Sequence, residues 1–132
     1  MIRAFRPDDY KLKPNEFTKD YLDNYREFIA SWDKRTFDVD GAKAIIGFLN
    51  YNENNYKGFF VISEDFKPTH LKELKKGVEG LFKELNLKRL ETESLDCEEL
   101  NRWHEFLGFK LEGTKRKCLN GNDYNVWGLL WD

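Results

Sequence analysis

The stretch from Arg35 to Ser63 leaves the backbone few options. Arg35–Val39 reads as a strand and runs into Asp40-Gly41, a pair that tolerates the positive φ angles of a two-residue hairpin turn. Ala44–Tyr51 follows, rich in Ile and Phe, and stops at Asn52-Glu53-Asn54-Asn55, where short polar side chains bond their own backbone. Lys57–Ser63 is a short, nearly continuous apolar run, the pattern of a strand buried on both faces of a sheet. Strands joined by such turns lie antiparallel. The middle of the chain is expected to be an antiparallel meander.

The flanks add helices. Phe17, Tyr21, Tyr25, Phe28, Ile29 and Trp32 recur at helical spacing, with Asp20, Asp23, Arg26 and Glu27 between them. That predicts an amphipathic helix of about four turns. Past the meander, Leu71, Leu74, Val78, Leu81, Phe82 and Leu85 mark one face of a second helix, with Thr69 as its expected N-cap and Asn86 as its stop. Gly77 and Gly80 each cost that helix about 1 kcal/mol against Ala. Close packing on the sheet and unoptimised surface are both open readings of them.

Lys88–Glu93 alternates as a strand, and Cys97–Leu107 is a helix closed by Gly108. Phe109–Leu119 and Tyr124–Trp131 are strands around the turn Asn120-Gly121-Asn122-Asp123. A short first strand fits within Met1–Phe5, before Pro7. The order β-α-β-β-β-α-β-α-β-β predicts an α/β (α+β) fold, a mixed, mostly antiparallel sheet flanked by helices. A chain of 132 residues suits one domain spanning 1–132.

Composition excludes several classes. Lys+Arg (22) and Asp+Glu (24) nearly cancel, so the overall charge lacks the footprint of a nucleic-acid binder. No apolar run approaches the ~18 residues of a membrane span, and the N-terminus has no signal-peptide core, which implies a cytoplasmic protein. Cys97 and Cys118 read as free thiols in a reducing compartment. They do not form metal spacing with His70 and His104, and no Ser-His-Asp signature or Walker loop is present.

The segment Leu85–Trp131 carries more information. A strand leads into a helix ending Trp103-His104-Glu105-Phe106-Leu107-Gly108-Phe109, followed by Leu111-Glu112-Gly113-Thr114-Lys115-Arg116-Lys117 and a final hairpin. This run resembles the GNAT superfamily of N-acetyltransferases, and most of all the ribosomal-protein N-terminal acetyltransferases. The resemblance implies transfer of an acetyl group from acetyl-CoA, used as a substrate, to an amine. The acceptor (protein N-terminus, lysine or small molecule) is left open. It implies a cofactor region at Val61, Ile62 and Ser63, at the end of the fourth strand, and at Lys67, Thr69, His70 and Leu71, where the next helix begins. A helix N-terminus offers free N–H groups and partial positive charge to a pyrophosphate. The family's loop glycines are replaced here by Thr69 and Leu71, and Pro68 removes one N–H. Either Leu71 turns into the core and Thr69 and Lys67 serve the anion, or the site is closed.

Many family members use a tyrosine in the helix before Leu-Gly-Phe to protonate the leaving thiolate. His104 aligns there, which implies a catalytic acid; a helix-surface histidine is the alternative. Glu91 and Glu93 share one face of their strand and are candidates for the general base, with solvated surface as the alternative. Cys97 stands where the family often has an asparagine. A second function also fits, a catalytically degenerate GNAT-fold binding or assembly protein of the phage-like kind. Trp127 and Trp131 are read as exposed aromatic edges able to support a dimer.

Overall fold

The computed structural model describes residues 2–53 and 55–130. Strand β1 (Ile2–Ala4) precedes a short helix α1 (Lys19–Tyr25). Strands β2 (Asp33–Val39), β3 (Ala42–Asn52) and β4 (Asn55–Ile62) form the meander. Helix α2 (Leu71–Leu85), strand β5 (Arg89–Leu95), helix α3 (Glu98–Phe106) and strands β6 (Lys110–Leu119) and β7 (Asn122–Leu130) complete the chain. The strands join in one sheet of order β1-β2-β3-β4-β5-β7-β6. Among them β4–β5 is the one parallel pair, and the other five pairings are antiparallel.

The turn chemistry folds as the residues dictate. Asp40 and Gly41 take φ of 52° and 89°, and Asn120 and Gly121 take 52° and 77°, so both hairpins turn on consecutive positive-φ residues. Asn86 ends α2 in the left-handed conformation (φ 53°, ψ 43°), and Leu87 N–H returns to Phe82 O at 3.0 Å. Met1, Asn54, Trp131 and Asp132, and with them the outermost ends of the predicted first and last strands, lie outside the described residues.

Two cores sandwich the sheet. Leu71, Leu74, Val78, Leu81 and Phe82 of α2 and Leu100 and Trp103 of α3 pack with Phe37, Ala44, Ile46, Ile62, Leu90 and Trp127 on one face. Leu22, Ile29 and Trp32 cover Ile45, Phe59 and Val61 on the other. The predicted helix over Phe17–Trp32 is shorter than its periodicity implied. After Tyr25 the bonds tighten to three-residue spacing, Ala30 N–H to Glu27 O and Trp32 N–H to Ile29 O. This winding keeps Ile29 and Trp32 buried and leaves Phe28 exposed.

The two α2 glycines divide between the open readings. A methyl at Gly77 would lie 2.8 Å from Ile2 Cδ1, whereas nothing stands within 4 Å of one at Gly80. Gly80→Ala is expected to stabilise the protein by about 0.4–1 kcal/mol. Gly77→Ala is expected to give no such gain, because Ile2 must move. Thermal unfolding of the two variants checks both.

Trp127 does not form an exposed edge. It is buried on the α2/α3 face, where its Nε1–H donates to Ser94 Oγ at 3.0 Å, so the dimer expectation loses that residue. Among the described residues no helix is long and apolar enough to cross a membrane.

Candidate active site at the strand fork

β4 and β5 run side by side for four rungs only, from Asn55↔Arg89 to Gly58↔Thr92. Beyond them β4 stays with β3 as far as Ile62↔Ala44, and β5 stays with β7 as far as Leu95↔Tyr124. The sheet therefore forks. Aromatic side chains wedge the split on the α2/α3 face, where Phe60 lies edge-on to His104 and to Phe109, each at 6.1 Å. The chain's own N-terminal segment closes the end of the β4 edge. Asn15 N–H donates to Ile62 O at 2.7 Å, Ile62 N–H to Thr18 Oγ1 at 3.2 Å, and Glu64 N–H to Lys13 O at 2.8 Å.

A cavity of about 30 Å³ sits in the fork. Phe60 and Ile62 line it from β4, Glu93 and Ser94 from β5, and His104 from α3. Phe17, Thr18, Tyr21 and Tyr124 complete its other side. Strand alternation puts Glu93, Tyr124 and Lys115 on the α1 face, opposite Leu90, Thr92 and Ser94. The fork thus brings His104 from one face of the sheet and Glu93 from the other to a single cavity.

Next to it, a groove of about 890 Å³ runs between the start of α2 and α3, walled by Pro68, Leu71, Cys97, Arg102 and Phe106. Phe17 and Trp103 line both spaces, so the groove adjoins the fork. Its size matches ordinary small-molecule sites. A network centred on the buried Asn125 holds α3 beside it. Asn125 Nδ2 donates to Asp96 Oδ1 at 3.1 Å and to Asn101 Oδ1 at 3.0 Å, and Thr114 Oγ1 donates to Asn125 Oδ1 at 2.7 Å.

His104 is neither on the helix surface nor poised as a cation. It is 5% exposed and stacks on Trp127 with ring centroids 5.1 Å apart. Nδ1 lies 2.8 Å from Leu100 O, so that nitrogen carries the proton and Nε2 is a bare acceptor. Nε2 has no partner among the described residues. Burial pushes the pKa down to about 4, against a smaller opposing effect of the Leu100 bond. At pH 7 the ring is neutral, which suits packing and hydrogen-bond acceptance and not the protonating role that the resemblance implies.

Glu93 lines the cavity and accepts a charge-assisted bond from Lys115 Nζ. Glu91 is engaged elsewhere. Arg89 Nη2 donates to it at 3.0 Å and also reaches Glu112 across Gly128, where a side chain would collide with that pair.

Two tyrosines were not singled out from the sequence as site residues. Tyr21 and Tyr124 sit at the fork with their O–H protons held firmly. Burial, followed by Glu93, pushes Tyr21 above the phenol range, and burial, followed by Asp20, pushes Tyr124 up to about 12. In the sequence both read as core aromatics of an amphipathic helix and a strand. The missing signal was that both line one cavity with Glu93, which only the fold supplies.

The residues expected to hold the pyrophosphate do not form one cradle. Leu71 turns into the core while still edging the groove, and Ile62 lines the fork cavity. Val61 packs on the α1 face, and Ser63 Oγ accepts Lys43 N–H at 3.2 Å. Lys67, Thr69 and His70 line a separate surface hollow beside Asp40 and Asp65. Thr69 is not the N-cap of α2. Pro68–His70 form a 3-10 turn, Lys67 N–H donates to His70 Nδ1 at 2.9 Å, and His70 N–H returns to Lys67 O at 2.8 Å. Leu71 N–H returns to Pro68 O, so the donors at this entry are largely spent.

The sequence matches no family model and no curated protein. Solved structures do resemble the fold. An acetyltransferase of the GNAT family from Bacillus anthracis superposes with a TM-score of 0.70 at 17% identity, covering 98% of this chain and 93% of that one. The ribosomal-protein-S5-alanine acetyltransferase from Vibrio fischeri gives 0.65 at 15% identity, covering 99% and 92%. Ard1 from Thermoplasma volcanium gives 0.70 at 20% identity, covering 100% and 98%. The chain has the GNAT fold.

Proposed function

We propose that this chain is an N-acetyltransferase that moves an acetyl group from acetyl-CoA to an amine. The observation that supports it is the fork, where a small cavity lined by Glu93, Tyr21 and Tyr124 adjoins an open groove between α2 and α3. In this reading a thioester and an amine approach one point from opposite sides of the sheet. Positioning of that kind is most of what direct acyl transfer needs.

The amine nitrogen attacks the thioester carbonyl, the new C–N bond forms as the C–S bond breaks, and the thiolate leaves with a proton. In this proposal Glu93 takes a proton from the incoming ammonium and passes it to solvent, so that a neutral amine attacks. The proton the nitrogen then loses replaces the one a tyrosine gives to the sulfur. Tyr21 and Tyr124, rather than His104, supply hydroxyl protons toward the leaving sulfur. The groove takes the thioester's arm, with Leu71 and Trp103 as apolar walls.

The test is thermal unfolding with acetyl-CoA. At ~100 times its dissociation constant the ligand adds roughly 2.7 kcal/mol, which for a domain of this size raises Tm by roughly 10 °C. The spent donors at the start of α2 favour the second reading, a GNAT-fold binding protein without turnover. An unchanged Tm at millimolar acetyl-CoA and other acyl-CoAs would select that second reading.

A further inference from the structure

The fork cavity is closed. At about 30 Å³ it has room for on the order of two water molecules, well below the ~300–1,000 Å³ of ordinary ligand pockets. The groove beside it has about 890 Å³, and Phe17 and Trp103 line both spaces. Trp103 is held on helix α3, buried against Phe66 with ring centroids 5.9 Å apart. Phe17 is held differently. Residues 12–18 lie outside every helix and ladder, apart from the single bridge Pro14↔Ser63. This segment changes sides of the sheet, because Leu12 and Tyr21 pack with the α1-face core and Phe17 between them packs with the α2/α3 core. It crosses at the edge of β4 that β5 has left, since β3 holds the other edge as far as Ile62↔Ala44. There Thr18 Oγ1 accepts Ile62 N–H, and the Asn15 side chain shapes the turn by accepting Phe17 N–H at 3.1 Å and Thr18 N–H at 2.9 Å. Segments held by such isolated bonds open at a lower cost than the whole fold.

We infer that residues 12–18 are an autoinhibitory strap whose Phe17 plugs the way from the groove to the fork, and that a ligand enters the fork only when the strap lets go of Ile62. The closed form is the resting state. A ligand of the fork then binds only the open fraction, and its apparent affinity is reduced by that fraction. Thr18→Val removes the acceptor of Ile62 N–H at nearly unchanged volume, so it shifts the balance toward the open form. The inference concerns access to the fork and goes beyond the acetyl-transfer reading. Under that reading the strap sets how much of the enzyme is competent to take its thioester.

The experiment reads access to the fork by alkylation of the full chain. In a background of Cys97→Ser and Cys118→Ser, Ser94→Cys puts a thiol of similar size on a buried residue that lines the cavity. Its labelling by iodoacetamide, followed by mass spectrometry, is expected to be slow with the unaltered strap. Thr18→Val or Phe17→Ala should make it about tenfold faster or more. Val78→Cys, buried beneath α2, is the control and should stay slow in every strap variant. No gain with Thr18→Val overturns the strap, including the case where Phe17→Ala alone helps and Phe17 is a fixed wall. Equal acceleration at Val78→Cys also overturns it, since the whole chain is then opening. Calorimetric titration with acetyl-CoA adds a second readout. Thr18→Val is expected to bind it about fivefold more tightly or better, and equal measurable affinity overturns the autoinhibitory role. Binding to neither protein counts against the acetyl-transfer reading, and the labelling rates then decide the strap by themselves.

Discussion

Phe59→Ala is expected to remove about 3–5 kcal/mol of folding stability, a large share of what a domain of this size has. Phe59 is 1% exposed and fills the core on the α1 face between Trp32, at 5.6 Å, and Tyr21, at 6.2 Å. It does so by lying over Gly47, its partner across β3 and β4, where any side chain would collide with the ring. Gly47→Ala alone is therefore expected to cost about 1–3 kcal/mol by overpacking. In the Phe59→Ala background the same methyl enters vacated space, and its cost should vanish or change sign. Urea unfolding of the two single variants and the double variant checks this. Strictly additive costs would show that ring and glycine do not share one space. The pair matters for function because Tyr21 rests on Phe59 on its way to the fork.

Acidification from pH 7 to pH 4.5 should cost about 2–3 kcal/mol through His104 alone. The folded ring titrates at about 4 because burial disfavours the cation, while an unfolded histidine titrates near its ordinary 6.5. Between those values the unfolded chain binds a proton that the folded chain does not. Stability therefore falls as pH drops through 6.5 and the loss is complete below about 4. Asp9 titrates in a lower window. The Arg3 guanidinium, with the Arg6 N–H and the Thr36 hydroxyl, holds its carboxylate well below the usual range, so its contribution is lost only below about pH 4. Urea unfolding from pH 7 to 4.5 isolates the histidine when the unaltered protein is compared with His104→Phe, because Glu112, which Arg89 holds below its ordinary value, contributes equally to both. His104→Phe should flatten that pH dependence. A profile unchanged by the substitution would mean that burial does not hold the His104 ring neutral in the fold.

The sequence was most legible where local chemistry decides. Asp40-Gly41 and Asn120-Gly121 can turn in few other ways, Asn86 ends its helix, and the α2 face from Leu71 to Phe82 is buried as its spacing implies. The site was less legible because it is made by what strands do not do. Phe59–Ile62 and Lys88–Glu93 read as ordinary strand, and nothing in them announces that their pairing stops at Gly58↔Thr92. Glu93 was found, but its partner Lys115 lies 22 residues away and emerged only through the β5-β7-β6 order. Thr69 failed as a cap because it lies inside the Pro68–His70 3-10 turn, where Leu71 N–H returns to Pro68 O. His104 looked catalytic by position, whereas its surroundings are apolar.

Acetyl transfer itself is tested most directly by mass spectrometry of Nα-acetyl-lysine methylamide incubated with isotope-labelled acetyl-CoA and the full chain. The expected result is labelled Nε-acetyl product accumulating over many turnovers, with one equivalent of free CoA thiol per product. Tyr124→Phe should reduce the rate by about 10²-fold or more. Product formation at millimolar acetyl-CoA no faster than in protein-free buffer would contradict acetyl transfer and leave the fork a binding site.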